Sequence, residues 1–447
     1  MKRLPSILTL LALSLLAVPA PAATFGNGGP STTNNDDSCD VAVLPAATLL
    51  LPFFQVDTEV PATGRTTLFT ITNVTNLDRI ARVTLWTDYG FPVISFNIFL
   101  TGYDVQAINL FDIIARGIIA PDGGTGTVIE DRGEFSDVNR SLDLSRCDRL
   151  PGQLDDSYIN RMQSAFLEGR VNPIGTLPGC ANVGGEHDFA TGYATIDVVG
   201  NCGFLQPNET GYWTTDLRYD NVLTGDYQQV DSQQNYAQAN PLVHIRAIPE
   251  GGTPASRTTG AENRTNFERT FYANYSTDTR SDARQPLPST FGARWIQGGP
   301  LEFETFYKVW REVPTGTGAT CASYGDNVMP AVDVVVFDEN ENFVARADNE
   351  PLPLGLAGTA LLAIEDDSLP QMTNGALSGW TYFNLDSDAE DEEATQNWVV
   401  VSMRSQGRYS VDFDATAFGN GCSAPSGVSK ATQQGGTTIG PAPNTNP

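Results

Sequence analysis

Alternation of apolar and polar positions is densest in Arg65–Leu110. Ala81, Val83 and Leu85 alternate with Arg82, Thr84 and Trp86, and Ile94, Phe96, Ile98 and Leu100 alternate around Ser95 and Asn97. A period of two predicts strands with one face in a core and the other in water. Asn76-Leu77-Asp78, Tyr89-Gly90 and Thr101-Gly102 separate the runs with residues that turn a chain at little cost. The stretch therefore predicts four consecutive strands in an antiparallel meander.

Similar runs recur on both sides of it. Val41–Val56 predicts a first strand pair, with Pro45 and Pro52 at edges or bulges. Gly192–Val199, Pro241–Ile248, Phe303–Val309, Ala331–Phe337, Trp380–Leu385, Asn397–Met403 and Arg408–Asp414 predict further strands. Helical spacing is confined to short segments. Asp155–Glu168 has capping residues at its start, Ile159, Met162 and Phe166 on one face, and Gly169 as a stop. Phe111–Ile119 predicts a helical turn, and Asn263–Tyr275 a short helix with Phe267, Phe271 and Tyr275 in one stripe.

Together these elements predict an all-β protein of two sandwich-like antiparallel domains with a short helical insertion. The first domain spans residues 39–250, a linker with a short helix spans 251–285, and the second domain spans 286–422. Residues 23–38 read as a flexible leader and 423–447 as a disordered tail, since neither has enough apolar residues for a core. An outer-membrane barrel is disfavoured by the cysteines, the helices and the polar tail. The connection Gly203–Asn240 is long and polar.

The N-terminus changes the picture of compartment. Lys2 and Arg3 precede the apolar run Leu4–Val18, and Ala20-Pro21-Ala22 supplies small residues for cleavage. Residues 1–22 are thus expected to be a signal peptide, and the protein to be secreted or held in the cell envelope. The apolar run is too short to span a bilayer, and Val41–Phe54 is interrupted by Pro45 and Pro52, so no transmembrane segment is expected after cleavage. Six cysteines behind an export signal predict disulfides. Their spacing suits zinc poorly, because the closest two, Cys180 and Cys202, are 22 positions apart. Cys180–Cys202 and Cys321–Cys422 are the expected pairs, leaving Cys39 and Cys147.

The formal charge is −27, from 26 basic and 53 acidic residues. Such a surface repels phosphate backbones, so nucleic acid is not an expected partner. The motifs for catalysis are sparse. The glycine cluster Pro121–Thr127 lacks the lysine of a phosphate-binding loop. His244 falls inside a strand, where a satisfied core or surface role is expected. His187 sits in a loop between Glu186 and Asp188, without a nucleophile motif around it.

Two acidic loops offer oxygen ligands to calcium. Asp338, Asn340 and Asn342 match the opening of a calcium loop, but glycine is missing at its sixth position and Asn349 stands at its twelfth. A hairpin turn explains the same residues. Asp386–Glu393 is more acidic and reads equally as a solvated loop. Calcium is therefore the only cofactor that the sequence suggests. In the long connection, Tyr212, Trp213, Tyr219, Tyr227 and Tyr236 lie among amides and carboxylates, the composition of a glycan-binding surface and also of an ordered loop packed over a sandwich.

The segments QNYAQANPLVHIRA (Gln234–Ala247), ATGYATIDVV (Ala190–Val199) and RYSVDFDAT (Arg408–Thr416) resemble an uncharacterised group of exported, β-rich bacterial proteins. The resemblance implies export and β-structure and carries no activity. The functional expectation is a non-catalytic structural or interaction protein at the cell surface or outside it, with a protein or glycan partner. A carbohydrate-active protein, either a glycan-binding module or a glycoside hydrolase, is the alternative. A cleft in which carboxylates and aromatics converge would favour that alternative.

Overall fold

A computed structural model describes residues 41, 43–59, 64–119, 152–174, 179–203, 205–207, 209, 211–247, 271–272, 284–288, 290–311, 333–348, 361–364, 375–385, 396–405 and 409–417. The predicted signal peptide, leader, tail and Asp386–Glu393 lie outside these residues, as do Cys39, Cys147, Cys321 and Cys422.

The first half of the chain forms β1 (Thr48–Val56), β2 (Arg65–Asn73), β3 (Arg79–Thr87), β4 (Pro92–Leu100), β5 (Val105–Asn109), α1 (Leu110–Ile114), β6 (Ile118–Ile119), β7 (Gly152–Gln153), α2 (Asp156–Glu168), β8 (Ala190–Val199), β9 (Leu223–Thr224), β10 (Asp226–Asp231), β11 (Tyr236–Pro241) and β12 (Val243–Ile245). Two sheets face each other. One has the order β12-β1-β8-β3-β4, and the other β11-β10-β2-β5 with β9 beside β2. Between them lies a core of Leu49, Leu51 and Phe54, Phe69 and Ile71, Val83 and Leu85, and Phe96 and Ile98, closed on one side by Met162 and Phe166 of α2. Each such side chain contributes about 1.5–3 kcal/mol through loss of apolar surface to water.

Four strands were expected to follow one another in one sheet. The structure corrects this: β3 and β4 form a hairpin in the first sheet, whereas β2 and β5 pair with each other in the second. The connections Val74–Asp78 and Thr101–Asp104 cross between sheets and lie side by side, with the Tyr103 amide donating to the Thr75 carbonyl (2.7 Å). Val41–Val56 yields the single strand β1, and Pro52 sits where its register with β8 shifts between Leu51 and Phe54. Leu49 and Leu51 face the core before this bulge and Phe54 and Val56 after it, which turns Phe53 to the opposite face.

The expected wet face of β3 is also absent. Arg82, Thr84 and Trp86 are as buried as Val83 and Leu85, because the outer face of this sheet supports a second apolar layer. Leu50, Phe53, Trp86, Tyr193 and Ile245 meet Tyr212, Tyr219, Phe271, Tyr272, Leu287 and Trp310 there. Trp86 stacks on Tyr193 with centroids 5.8 Å apart, and Tyr193 and Trp310 form a T-shaped pair at 6.0 Å.

Trp310 belongs to the second sandwich. Its strands are β13 (Thr290–Ile296), β14 (Phe303–Arg311), β15 (Asp333–Asp338), β16 (Phe343–Asp348), β17 (Leu361–Ile364), β18 (Ser378–Asn384), β19 (Asn397–Ser405), β20 (Tyr409–Asp414) and β21 (Thr416–Ala417). They form the sheets β16-β15-β18-β13-β21 and β17-β14-β19-β20. Phe291, Trp295, Tyr307, Val309, Phe383, Val401 and Met403 fill the space between them. The two sandwiches are joined by the layer around Trp310 and by a hydrogen bond from Gln238 Nε2 to the Val401 carbonyl (2.6 Å). The fold is all-β with a small helical piece, as the strand pattern predicts.

Candidate functional site

The inward positions of two strands change character along their length. In β2 they run Ile71, Phe69, Thr67, Arg65, and in β10 they run Tyr227, Gln229, Asp231. The apolar members enter the first core. The polar members line a cleft of about 1300 Å³ that both sandwiches wall. Arg65 holds its wall together, with Nη2 3.0 Å from Asp231 Oδ2 and Nη1 donating to Gln55 Oε1 at 2.5 Å.

A second wall comes from the chain after α2. Asp155 caps this helix by accepting from the Ser157 and Tyr158 amides, and the Ser157 hydroxyl foremost, with these amides after it, holds its carboxyl below the usual range. Gly169 ends it in the left-handed region (φ 61°), and a β-carbon there would lie 1.9 Å from the Gly184 carbonyl oxygen. The returning segment Gly184–Phe189 is pinned by Asp88, which is 2% exposed. Asp88 Oδ1 accepts from the Gly185 amide at 3.1 Å, and Oδ2 lies 2.8 Å from His187 Nε2. Glu186 and Asp188, on either side of His187, are exposed at the cleft.

The third wall is the outer face of the second sandwich. Tyr307, Val309, Val401 and Met403 point into the core, so Phe306, Lys308, Ser402 and Arg404 point out, half-buried, into the cleft. Three cations lie over aromatic faces here: Arg65 over Phe189 at 4.5 Å, Lys308 over Phe53 at 5.4 Å and Arg404 over Phe306 at 4.5 Å. Arg65 is also paired with Asp231, and Arg404 with Glu304 at 2.7 Å.

Sequence reasoning missed this cleft. The only signal is the polar ending of the inward phase in β2 and β10, and β10 and β11 were hidden in what reads as the long polar connection. Besides Tyr236, His187 lines the cleft among the sequence candidates. Its ring is held by a buried carboxylate as a catalytic base would be, yet among the described residues no hydroxyl or thiol is hydrogen-bonded to it.

The other candidates are placed elsewhere. Tyr212, Tyr219 and Tyr227 are at most 2% exposed, so a glycan-stacking surface made of these rings is corrected to core packing. The side chain of Trp213 lies outside the described residues. Tyr212 donates to Asp197 Oδ2 at 2.5 Å, and burial, followed by the Asp197 charge, pushes its hydroxyl pKa well up. His244 is buried in β12, and its Nε2 accepts from the Gly225 amide at 3.4 Å. Burial lowers its pKa.

Asp338, Asn340 and Asn342 form the β15–β16 hairpin turn. Asp338 Oδ1 accepts from the Asn340 and Asn342 amides, both at 2.8 Å, and Oδ2 from Asn342 Nδ2 at 2.9 Å. The carboxylate is thus spent on its own turn, and these bonds lower its pKa. Among the described residues no group of three or more His, Cys, Asp or Glu side chains is placed to hold a metal ion.

Cys180 and Cys202 are both disulfide-bonded, but the expected bridge between the two is corrected by the course of β8. Cys180 pairs with Val171 beside the Val183–Gly185 turn, whose Val183 carbonyl accepts from Thr87. Cys202 follows Asn201, whose carbonyl accepts from Arg82. β8 runs unbroken from the Thr87 end, at Gly192, to beyond Arg82, at Val199. Seven residues of strand span about 23 Å, and a disulfide needs α-carbons within about 7 Å.

No family model, no curated protein and no solved structure matches this chain. Among the described residues no helix is long and apolar enough to cross a membrane.

Proposed function

We propose that this chain is an exported, non-catalytic interaction protein that binds a polar ligand in the cleft between its two sandwiches. The cleft itself carries the reading: about 1300 Å³, walled by both sandwiches and rich in charged and amide side chains. Pockets of this kind, formed at domain junctions, are where ligands are usually bound. Disulfides at Cys180 and Cys202 support an oxidising compartment, as does the N-terminal signal pattern.

A carbohydrate is the ligand class with a specific observation in its favour. Tyr89 and Tyr236 line the cleft beside Gln55, Asn182, Gln229 and Gln234, and rings next to amides suit a hydroxylated ligand. Hydrolysis has less support. Among the described residues the carboxylates that line the cleft are Glu168, Glu186, Asp188 and Asp231, and two of them are bound in salt bridges to Arg170 and Arg65. The remaining two lie on one loop, whereas a glycosidase sets an acid and a second carboxylate on opposite sides of the scissile bond.

A thermal-shift screen of the purified chain against oligosaccharides and peptides tests the binding reading. A ligand present at a hundred times its Kd adds about 2.7 kcal/mol to stability. The shift is expected to vanish in Ser402→Trp, which fills the cleft from an outward position. A ligand whose shift survives this substitution binds elsewhere and removes the reading.

A further inference from the structure

We infer that a second, smaller pocket binds a zwitterion of amino-acid size, its carboxylate on Arg79 and Arg218 and its ammonium toward Asp78 and Asp220. The pocket has a volume of about 330 Å³ and lies where β3 begins and β8 ends. Among the described residues it shares no lining residue with the cleft between the sandwiches. Its volume is at the low end of the range for small-molecule sites.

The strand register brings the two arginines together. Ile80 pairs with Val199, so Arg79, one position before it, stands beside Gly200. Residues opposite each other across an antiparallel pair project to the same side of the sheet. Arg218 lies on that side too, because a β-carbon built on Gly200 would fall 2.2 Å from its Nε. The absence of a side chain at Gly200 lets this guanidinium lie against the backbone. Ile80, Phe99 and Val199 supply apolar lining.

The charges in this pocket do not satisfy one another. Arg79 makes one long contact, from Nη1 to the Asp78 carbonyl at 3.5 Å, and its Nε is buried without a hydrogen-bond partner. Among the described residues the Arg218 side chain has no hydrogen bond, and neither guanidinium has a carboxylate in ion-pair range. That is unexpected in a chain with 53 acidic residues against 26 basic ones. A buried donor left unsatisfied is costly, and neighbouring guanidiniums repel. A carboxylate that accepts from their free N–H groups removes both costs. Asp78 and Asp220 line the same pocket, and their carboxylates have no partner among the described residues. They weaken the hold on a simple anion. They suit a ligand with an ammonium beside its carboxylate, and the apolar lining suits the side chain of an apolar amino acid.

Calorimetry on the full chain tests this with leucine and phenylalanine, and with the N-acetyl and amide derivatives of each, which lack one charge. At least one amino acid is expected to bind, with both of its derivatives weaker by about tenfold or more, the usual worth of a charged hydrogen bond. Arg79→Met and Arg218→Met should each weaken it by a similar factor. Asp220→Asn should weaken the amino acid without weakening its N-acetyl derivative. Circular dichroism and melting of each variant, set against the wild type, exclude misfolding as the cause, and Asp220→Asn carries the test where an arginine variant does not fold. Ser402→Trp, which fills the cleft, should leave this binding intact, so the two sites stand or fall separately. Failure of both amino acids to bind, or derivatives that bind as well as their parents, overturns the inference. So does indifference to both methionine variants, or loss of binding in Ser402→Trp.

Discussion

Asp197 shows how much a single buried side chain can organise. It is 1% exposed in β8 and accepts from Thr48 Oγ1 at 2.5 Å, Tyr212 at 2.5 Å and Tyr272 at 2.7 Å. Arg284 lies 3.7 Å away, fully buried, and donates to Thr48 Oγ1 and to the Arg218 carbonyl at 3.0 Å. The network joins the strands of the first sandwich to the segment leading into the second. Replacing such an ion pair by apolar residues is often neutral, but deleting one partner strands the other charge out of water. Asp197→Ala is therefore expected to cost about 3–5 kcal/mol in urea unfolding. A loss below 1 kcal/mol would mean that the other partners of Arg284 hold its charge without Asp197.

At the scale of elements, α2 was legible because its signals are local. A cap, an apolar stripe and a terminal glycine need no distant partner, and helix Asp156–Glu168 forms with cap Asp155 and stop Gly169 as expected. Asp155→Ala should lower stability by about 1 kcal/mol. Gly169→Ala should cost more, because it combines a left-handed backbone with a 1.9 Å approach to the Gly184 carbonyl oxygen. It should also loosen the loop that carries His187. Hydrogen exchange at Gly185 and His187 measures this directly, and protection equal to that of the wild type would refute the coupling. β10 and β11 were illegible for a related reason. Their sequences, DYQQVD and YAQANP, lack apolar alternation, because the inward positions Gln229 and Asp231 face the cleft and not the core. The site and the failure of the strand pattern have the same cause.

For the whole molecule, the buried ionisable groups define a pH window. Burial raises the pKa of Tyr212, Tyr272 and Tyr307, with Asp197 adding to the first two. An unfolded tyrosine ionises near pH 10, so above about pH 10 the unfolded state releases protons that the folded state keeps. Their contribution is complete below that pH and is lost as pH rises. His244 sets the acid side. Burial lowers its pKa, so its contribution is complete above about pH 6.5 and declines as pH falls and the unfolded imidazole takes up a proton. Stability should be highest between these limits. Phenolate absorbance recorded alongside far-ultraviolet circular dichroism checks the alkaline side: all three hydroxyls are expected to ionise together with unfolding. Ionisation of all 14 tyrosines near pH 10 with the fold intact would contradict their burial. His244→Gln should flatten the acid limb if that residue sets it.

Periodicity in the sequence determined the fold class, α2 and most strands, since a strand's inward face is written in every second residue. It also marked His187 as a residue in a polar loop, and Asp338–Asn342 as a turn. Which strands pair was decided by the tertiary structure alone. An alternating strand fits either sheet of a sandwich, and the turns Val74–Asp78 and Thr101–Asp104 can close a hairpin or cross between sheets. The outer face of β3 reads as solvated until Tyr193 and Trp310, 107 and 224 positions beyond Trp86, are brought against it. The cleft was decided in the same way. It unites Arg65, His187, Asp231, Lys308 and Arg404 across 339 positions of sequence. No local pattern records that union, because the packing of one sandwich on the other creates it.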